Sequence, residues 1–174
     1  MMGKSDRTRR FNELAEAYSA DLYRYAMWLC GSDALAKDLV QETFLRAWRA
    51  LDRLKDAGAV KSWLITILRR EFARTFERKV PLFTDFEKVS IADDGMEPDD
   101  KTERDLLRNG ILKLDPKYRD PLLLQVIFGY SCNEIAEQLG ITKSAVMTQL
   151  FRAREKLKAQ LRKDGVTGNV HELF

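Results

Sequence analysis

Histidine occurs once in this chain, as His171 near its end, and cysteine twice, as Cys30 and Cys132. The cysteines lie far apart and form no C-x-x-C pair, so no structural zinc site is expected within the chain. They read as small buried hydrophobes. There are only four prolines. No apolar run approaches the length of a membrane span, so membrane insertion is not expected. The opening MMGKSDRTRR is charged and leads into an amphipathic pattern, not an apolar signal region. Glycine-rich phosphate loops and clustered carboxylates are also missing, which leaves no residues to carry catalysis. The expectation is a soluble, reduced, cytoplasmic protein, not an enzyme, holding neither metal nor cofactor.

What is present is helical pattern. With 174 residues, 45% of them hydrophobic, the chain can build one domain or two small ones. The most organised stretch is SCNEIAEQLGITKSAVMTQLFRAREK, starting at Ser131. Ser131 and Glu134 have the spacing of a capping box. Ile135, Ala136 and Leu139 give a short apolar stripe, and Gly140 stands where a helix end favours positive φ. Thr142 is placed to cap a second helix, with Val146, Leu150, Ala153, Leu157 and Leu161 recurring at helical spacing. Short helix, glycine corner, long helix is a helix-turn-helix pattern.

The opposite face of the second helix carries Lys143, Ser144, Met147, Thr148, Phe151 and Arg152. Its first turns are the part that would enter a major groove. From Ile141 to Lys163 the basic residues are Lys143, Arg152, Arg154, Lys156, Lys158, Arg162 and Lys163, against Glu155 alone. That excess suits phosphate contacts with a steep salt dependence. A solvated basic helix closing a bundle is the plainer alternative for any one arginine.

In the first half, Phe11, Leu14, Tyr18, Leu22, Tyr25 and Leu29 predict a helix from about Arg10 to Cys30, ended by Gly31. Ser32 or Asp33 is placed to cap the next helix, which runs to about Leu51. Ala36, Leu39, Val40, Thr43, Phe44, Ala47, Trp48 and Leu51 form its core side. Asp38, Gln41, Glu42, Leu45 and Arg49 form an arc opposite, with Arg46 at its border. A solvated face and a partner surface both fit that mixture. After a loop containing Asp56 and Gly58, residues Lys61 to Lys79 predict a third helix, with Trp63, Leu64, Ile67, Leu68 and Phe72 as its apolar side. Arg70, Arg74 and Arg78 recur every four residues as a basic stripe flanked by Arg69 and Lys79. Nucleic acid, including unstacked bases, and plain solvent fit that stripe equally.

From Val80 to about Asp105 acidic residues outnumber basic ones and Pro81, Gly95 and Pro98 interrupt any period. This reads as an acidic tether. DDGMEPDD lacks the alternating spacing of a calcium loop. Leu106, Leu107, Ile111, Leu112 and Leu114 predict a short helix. YRDPLLLQVIFGYS predicts another, with a proline near its start and Gly129 at its end. The fold class expected is all-α: a helical domain over 1–80, an acidic flexible linker over 81–104, and a second helical domain over 105–174 containing the helix-turn-helix.

These segments resemble the extracytoplasmic-function (group four) sigma factors of bacterial RNA polymerase. DLVQETFLRAWRAL, from Asp38 to Leu51, is similar to the family's most recognisable motif. KSWLITILRREFAR resembles the helix that follows it. LDPKYRDPLLLQVIFGYSCNEIAEQLGITKSAVMTQLFRAREKL resembles the C-terminal domain throughout. The resemblance covers roughly residues 10–79 and 105–162.

It implies that Asp38, Gln41, Glu42, Leu45, Arg46 and Arg49 bind the clamp helices of the polymerase β′ subunit. It places Arg69, Arg70, Arg74 and Arg78 at the −10 promoter element. It places Lys143, Ser144, Met147, Thr148, Gln149, Phe151 and Arg152 at the −35 element. Further implied partners are promoter DNA, the polymerase β flap and a cognate anti-sigma factor, with the linker directed toward the RNA-exit channel. Two features depart from the family pattern. Arg70 stands where an asparagine often helps hold a flipped base. Met147 and Gln149 stand where basic residues are usual: Met147 offers only apolar contact, and Gln149 can read adenine if it faces DNA. A free-standing dimeric regulator and a sigma-like decoy are the rival readings. No dimerisation region and no phosphoreceiver domain accompanies the pattern.

Overall fold

A computed structural model describes residues 4–76 and 98–165. The described residues contain helices and turns and no strand. The chain divides into two compact units, Met1–Val89 and Ser90–Phe174.

The first unit is built from α1 (Lys4–Cys30), α2 (Asp33–Ala50) and α3 (Val60–Phe76). On α1, Leu14, Leu22, Tyr25 and Leu29 are buried as their spacing predicts, and Phe11 and Tyr18 are half-buried. The helix begins six residues before the expected Arg10 because its first turns are anchored on α2. Arg7 Nη2 donates to the Trp48 carbonyl at 2.6 Å, and its guanidinium lies 4.7 Å from the centre of the indole. The last carbonyls of a helix lack intrahelical donors and carry partial negative charge, so an arginine is well placed there. Phe11 meets Phe44 and Trp48 edge-on, with ring centres 6.0 and 5.1 Å apart.

Ser32 holds the N-cap position of α2 but its side chain makes no cap hydrogen bond. The Asp33 carboxylate accepts instead from the Tyr23 hydroxyl and from Lys37 Nζ. The loop before α3 tightens into one turn of 3₁₀ helix, Ala57–Ala59, where Asp56 Oδ1 accepts from the Gly58 amide at 2.8 Å. On α3 the buried line is Leu64, Ile65, Leu68 and Glu71, while Trp63, Ile67 and Phe72 are half-buried. The helix packs against both α1 and α2. That draws in Ile65 and Glu71, which the expected stripe omitted.

The second unit contains α4 (Pro98–Leu112), α5 (Pro116–Phe128), α6 (Cys132–Leu139) and α7 (Lys143–Lys163). Helix α4 begins well before Leu106. Proline suits a first helical position, where the missing amide hydrogen would have had no partner. The same logic starts α5 at Pro116, leaving Pro121 inside the helix and buried. Leu122, Leu123 and Leu124 are all buried, which makes α5 the centre of this core. Around it lie Ile111, Leu112, Ile135, Val146, Leu150 and Leu157. Burying each such side chain contributes about 1.5–3 kcal/mol. Helix α4 reaches α7 at Gly110, where an added Cβ would stand 2.6 Å from Leu157 Cδ1.

Candidate nucleic-acid and protein interfaces

The corner between α6 and α7 is locked by its caps. The Ser131 amide donates to Glu134 Oε2 at 2.8 Å, and the Glu134 amide donates to Ser131 Oγ at 3.3 Å. The capping box is therefore complete. Gly140 adopts φ 67°, the left-handed region that glycine enters without Cβ strain. The Ile141 amide then reaches back to the Ala136 carbonyl at 3.1 Å. Thr142 Oγ1 accepts from the Ala145 amide, also at 3.1 Å, and starts α7.

Val146, Leu150, Ala153, Leu157 and Leu161 all face the core. This fixes the rotation of α7 and turns Lys143, Ser144, Met147, Thr148, Phe151 and Arg152 to the outside, every one exposed. Gln149 lies at the flank, half-buried. An open groove runs along the outer face, lined by Met147, Thr148, Phe151, Arg152, Glu155 and Lys156.

The positive charge is less uniform than its count in the sequence suggests. Arg154 is half-buried and donates through Nη2 to Gln125 Oε1 on α5, so it braces the domain. Lys158 is turned toward Glu155, 3.5 Å away. Lys156 lies over Tyr118, 5.5 Å from its ring centre. Lys143 and Arg152 remain as exposed cations in the first three turns.

In the first unit the α2 arc is presented as expected. Asp38, Gln41, Leu45 and Arg49 are exposed, Leu45 at 46%, and Glu42 and Arg46 are partly covered. The basic stripe of α3 is arranged differently. Arg70 is exposed and Arg69 half-buried. Arg74 is held by carboxylates: its Nη2 lies 2.6 Å from Glu71 Oε2 and 3.9 Å from Glu42 Oε1. Arg46 Nε lies 2.9 Å from Glu42 Oε1 and 3.4 Å from Glu71 Oε1. Four charges on two helices thus form one network around Glu71, which is only 7% exposed. Glu71 is not among the residues expected to form either interface, yet it holds two that are. The available signal was its place three residues after the buried Leu68, on the core side of the helix. Arg78, Lys79 and His171 fall outside the described residues. Among the described residues no group of His, Cys, Asp and Glu could hold a metal ion, and no helix is long and apolar enough to cross a membrane.

One chain thus presents a capped helix-turn-helix with an exposed leading edge and a separate three-helix unit with an exposed mixed-charge arc. That is the organisation of a bipartite helical DNA-binding protein. Residues 14–80 match the family described as Sigma-70 region 2, and residues 104–157 match Sigma-70, region 4. The chain is 31% identical over 163 residues to the ECF RNA polymerase sigma factor SigL of Mycobacterium tuberculosis, covering 88% of this chain and 90% of SigL. It is 28% identical over 152 residues to SigM of Bacillus subtilis, covering 85% and 93%. The solved structure of CnrH, in complex with the cytosolic domain of CnrY, matches with a TM-score of 0.68 at 26% identity over 90% of each chain. The sigma factor RpoE from Bartonella quintana shares the fold, with a TM-score of 0.68 at 24% identity over 90% of this chain and 97% of its own. The chain belongs to the ECF sigma factors of RNA polymerase, whose work is promoter-specific initiation of transcription.

Proposed function

We propose that this sigma factor divides promoter recognition between its two units and catalyses no reaction itself. In the first unit the α2 arc of Asp38, Gln41, Glu42, Leu45, Arg46 and Arg49 docks on the β′ clamp helices of core polymerase. The outer face of α3, with Arg69, Arg70 and Arg74, meets the −10 element as its strands separate, and Arg78 contacts the same element. In the second unit α7 enters the major groove of the −35 element through Lys143, Ser144, Met147, Thr148, Phe151 and Arg152, with Gln149 at the edge. The β flap holds this unit on the polymerase. Neither small unit alone has a large interface, so affinity comes from tethering both to one enzyme. The protein works in the cytoplasm, where polymerase is.

The observation that carries this reading is that both units, each with its exposed face, occur on one chain that matches the two sigma regions in order. Control by an anti-sigma factor is part of the proposal. It is supported by CnrH, a 26% identical protein solved in complex with another protein's cytosolic domain.

Site-specific photocrosslinking tests the division. A photoreactive amino acid at position 148 or 70 is introduced into the full chain, assembled with core polymerase on promoter DNA. Position 148 is expected to link to the upstream duplex and position 70 to the downstream strand near the start. Links from both positions to one element, or none from position 148 to DNA, would contradict it.

A further inference from the structure

The two most exposed large hydrophobic side chains among the described residues are Phe151 at 65% and Met147 at 55%. They lie one turn apart on the leading part of α7. Residues 143, 147, 151 and 155 make one stripe of that face, Lys143, Met147, Phe151 and Glu155. Residues 144, 148, 152 and 156 make the neighbouring one, Ser144, Thr148, Arg152 and Lys156. One stripe is apolar in the middle; the other is hydroxylic and then basic.

We infer that Met147 and Phe151 read thymine C5-methyl groups in the upstream promoter element. The inference rests on α7 being the helix that enters the major groove. The thymine methyl is the only apolar feature a base pair offers there, and an apolar side chain cannot pair with the donors and acceptors of the other bases. The four residues from Met147 to Phe151 advance about 6 Å along the helix, close to two base steps of about 3.4 Å each. The two side chains can therefore meet methyls two base pairs apart at once. The flanking charge argues for DNA as the occupant. Lys143 precedes the apolar pair, Arg152 and Lys156 lie beside it, and no acidic residue occurs on α7 before Glu155. A polyanion carrying small apolar groups matches that surface. Glu155, beside Lys158, repels phosphate and limits the reading edge to the first three turns. Discrimination then comes from burying methyls and positioning from Arg152 and the hydroxyls.

The test uses the full chain assembled with core polymerase. Duplexes bound by this holoenzyme are first selected from a random upstream library. Each thymine of the selected upstream element is then replaced by uracil, which lacks only the methyl. Wild-type protein is expected to lose about fourfold in affinity per contacted methyl, the worth of one buried carbon. Met147→Ala and Phe151→Ala should each bind thymine and uracil duplexes equally at one position, while Met147→Leu keeps the preference. Arg152→Ala should weaken both duplexes alike. Equal binding of thymine and uracil by the wild type would overturn the inference while leaving groove recognition by α7 intact, provided Arg152→Ala still weakens binding. If no α7 substitution, Arg152→Ala included, alters duplex binding, the groove reading itself fails. If Met147→Ala and Phe151→Ala release a protein subunit without changing base preference, the stripe is a protein dock and the inference is overturned.

Discussion

The Arg46 guanidinium of α2 lies 3.4 Å from the buried carboxylate of Glu71 on α3. Glu71 also holds Arg74 at 2.6 Å, so one carboxylate joins a residue of the proposed polymerase face to one of the proposed DNA face. Hydrogen bonds to charged groups contribute about 1.5–3 kcal/mol each when shielded. Both arginines are partly in water, so the lower end applies. Glu71→Gln is expected to lower unfolding stability by about 1–2 kcal/mol in urea titration. An unchanged midpoint for Glu71→Gln would show the network to be incidental.

Arg70 and Arg74 should behave differently. Arg70→Ala removes an exposed cation, so it is expected to slow promoter opening with no loss of stability. Arg74→Ala also breaks the pair with Glu71 and should show both effects. Permanganate reactivity of opened thymines, read beside thermal melting, separates the two. Identical profiles for both variants would contradict the distinction.

Leu45 is exposed at 46% in the α2 arc and carries no charge of its own. Leu45→Asp should weaken co-elution with core polymerase by tenfold or more and shift stability by no more than about 0.5 kcal/mol, as for other surface changes. Glu42→Lys is a poorer probe, since it places a third cation beside Arg46 and Arg74. Undiminished co-elution of Leu45→Asp would remove this arc from the interface.

Much of the second unit was legible in the sequence because its signals are local. Ser131 and Glu134 cap each other three residues apart, Gly140 bends the chain on its own, and all five residues of the α7 stripe face a single core. What stayed hidden depended on residues far apart in the chain. Nothing near Arg7 announces Trp48, so α1 was expected to start late. Nothing near Arg154 announces Gln125, so a bracing arginine looked like a phosphate contact. Glu71 is an acid in a basic helix and carries no local sign of burial; its burial comes from packing against α1 and α2. Ile65 was passed over for the same reason: a helix with two neighbours buries a wider arc than one period suggests.

The hydrogen bond from Lys37, followed by that from Tyr23, holds the Asp33 carboxyl below its ordinary 3.8. A depressed carboxyl stabilises the fold above its unfolded value and loses that contribution as pH falls through the folded one. The Asp33 carboxyl resonance should therefore titrate below 3.8, and Tyr23→Phe should move it upward. A midpoint at or above the ordinary value would contradict the contact.

At Gly110 an alanine gains helix propensity of about 1 kcal/mol but drives its Cβ into Leu157, which is fully buried. Overpacking costs about 1–3 kcal/mol, so Gly110→Ala should be neutral to destabilising by about 2 kcal/mol. Leu157→Ala alone should cost about 2–5 kcal/mol. Combined, the two should cost less than their sum, because the smaller residue vacates the space. Strict additivity would contradict the close approach of α4 to α7.

Promoter selection by this chain can be read from transcription of fragmented genomic DNA by core polymerase, with and without the protein. Discrete protein-dependent start sites that share paired upstream motifs are expected, lost with Leu45→Asp and weakened with Arg152→Ala. Duplex binding without polymerase and without new start sites would contradict promoter selection and identify a stand-alone regulator instead.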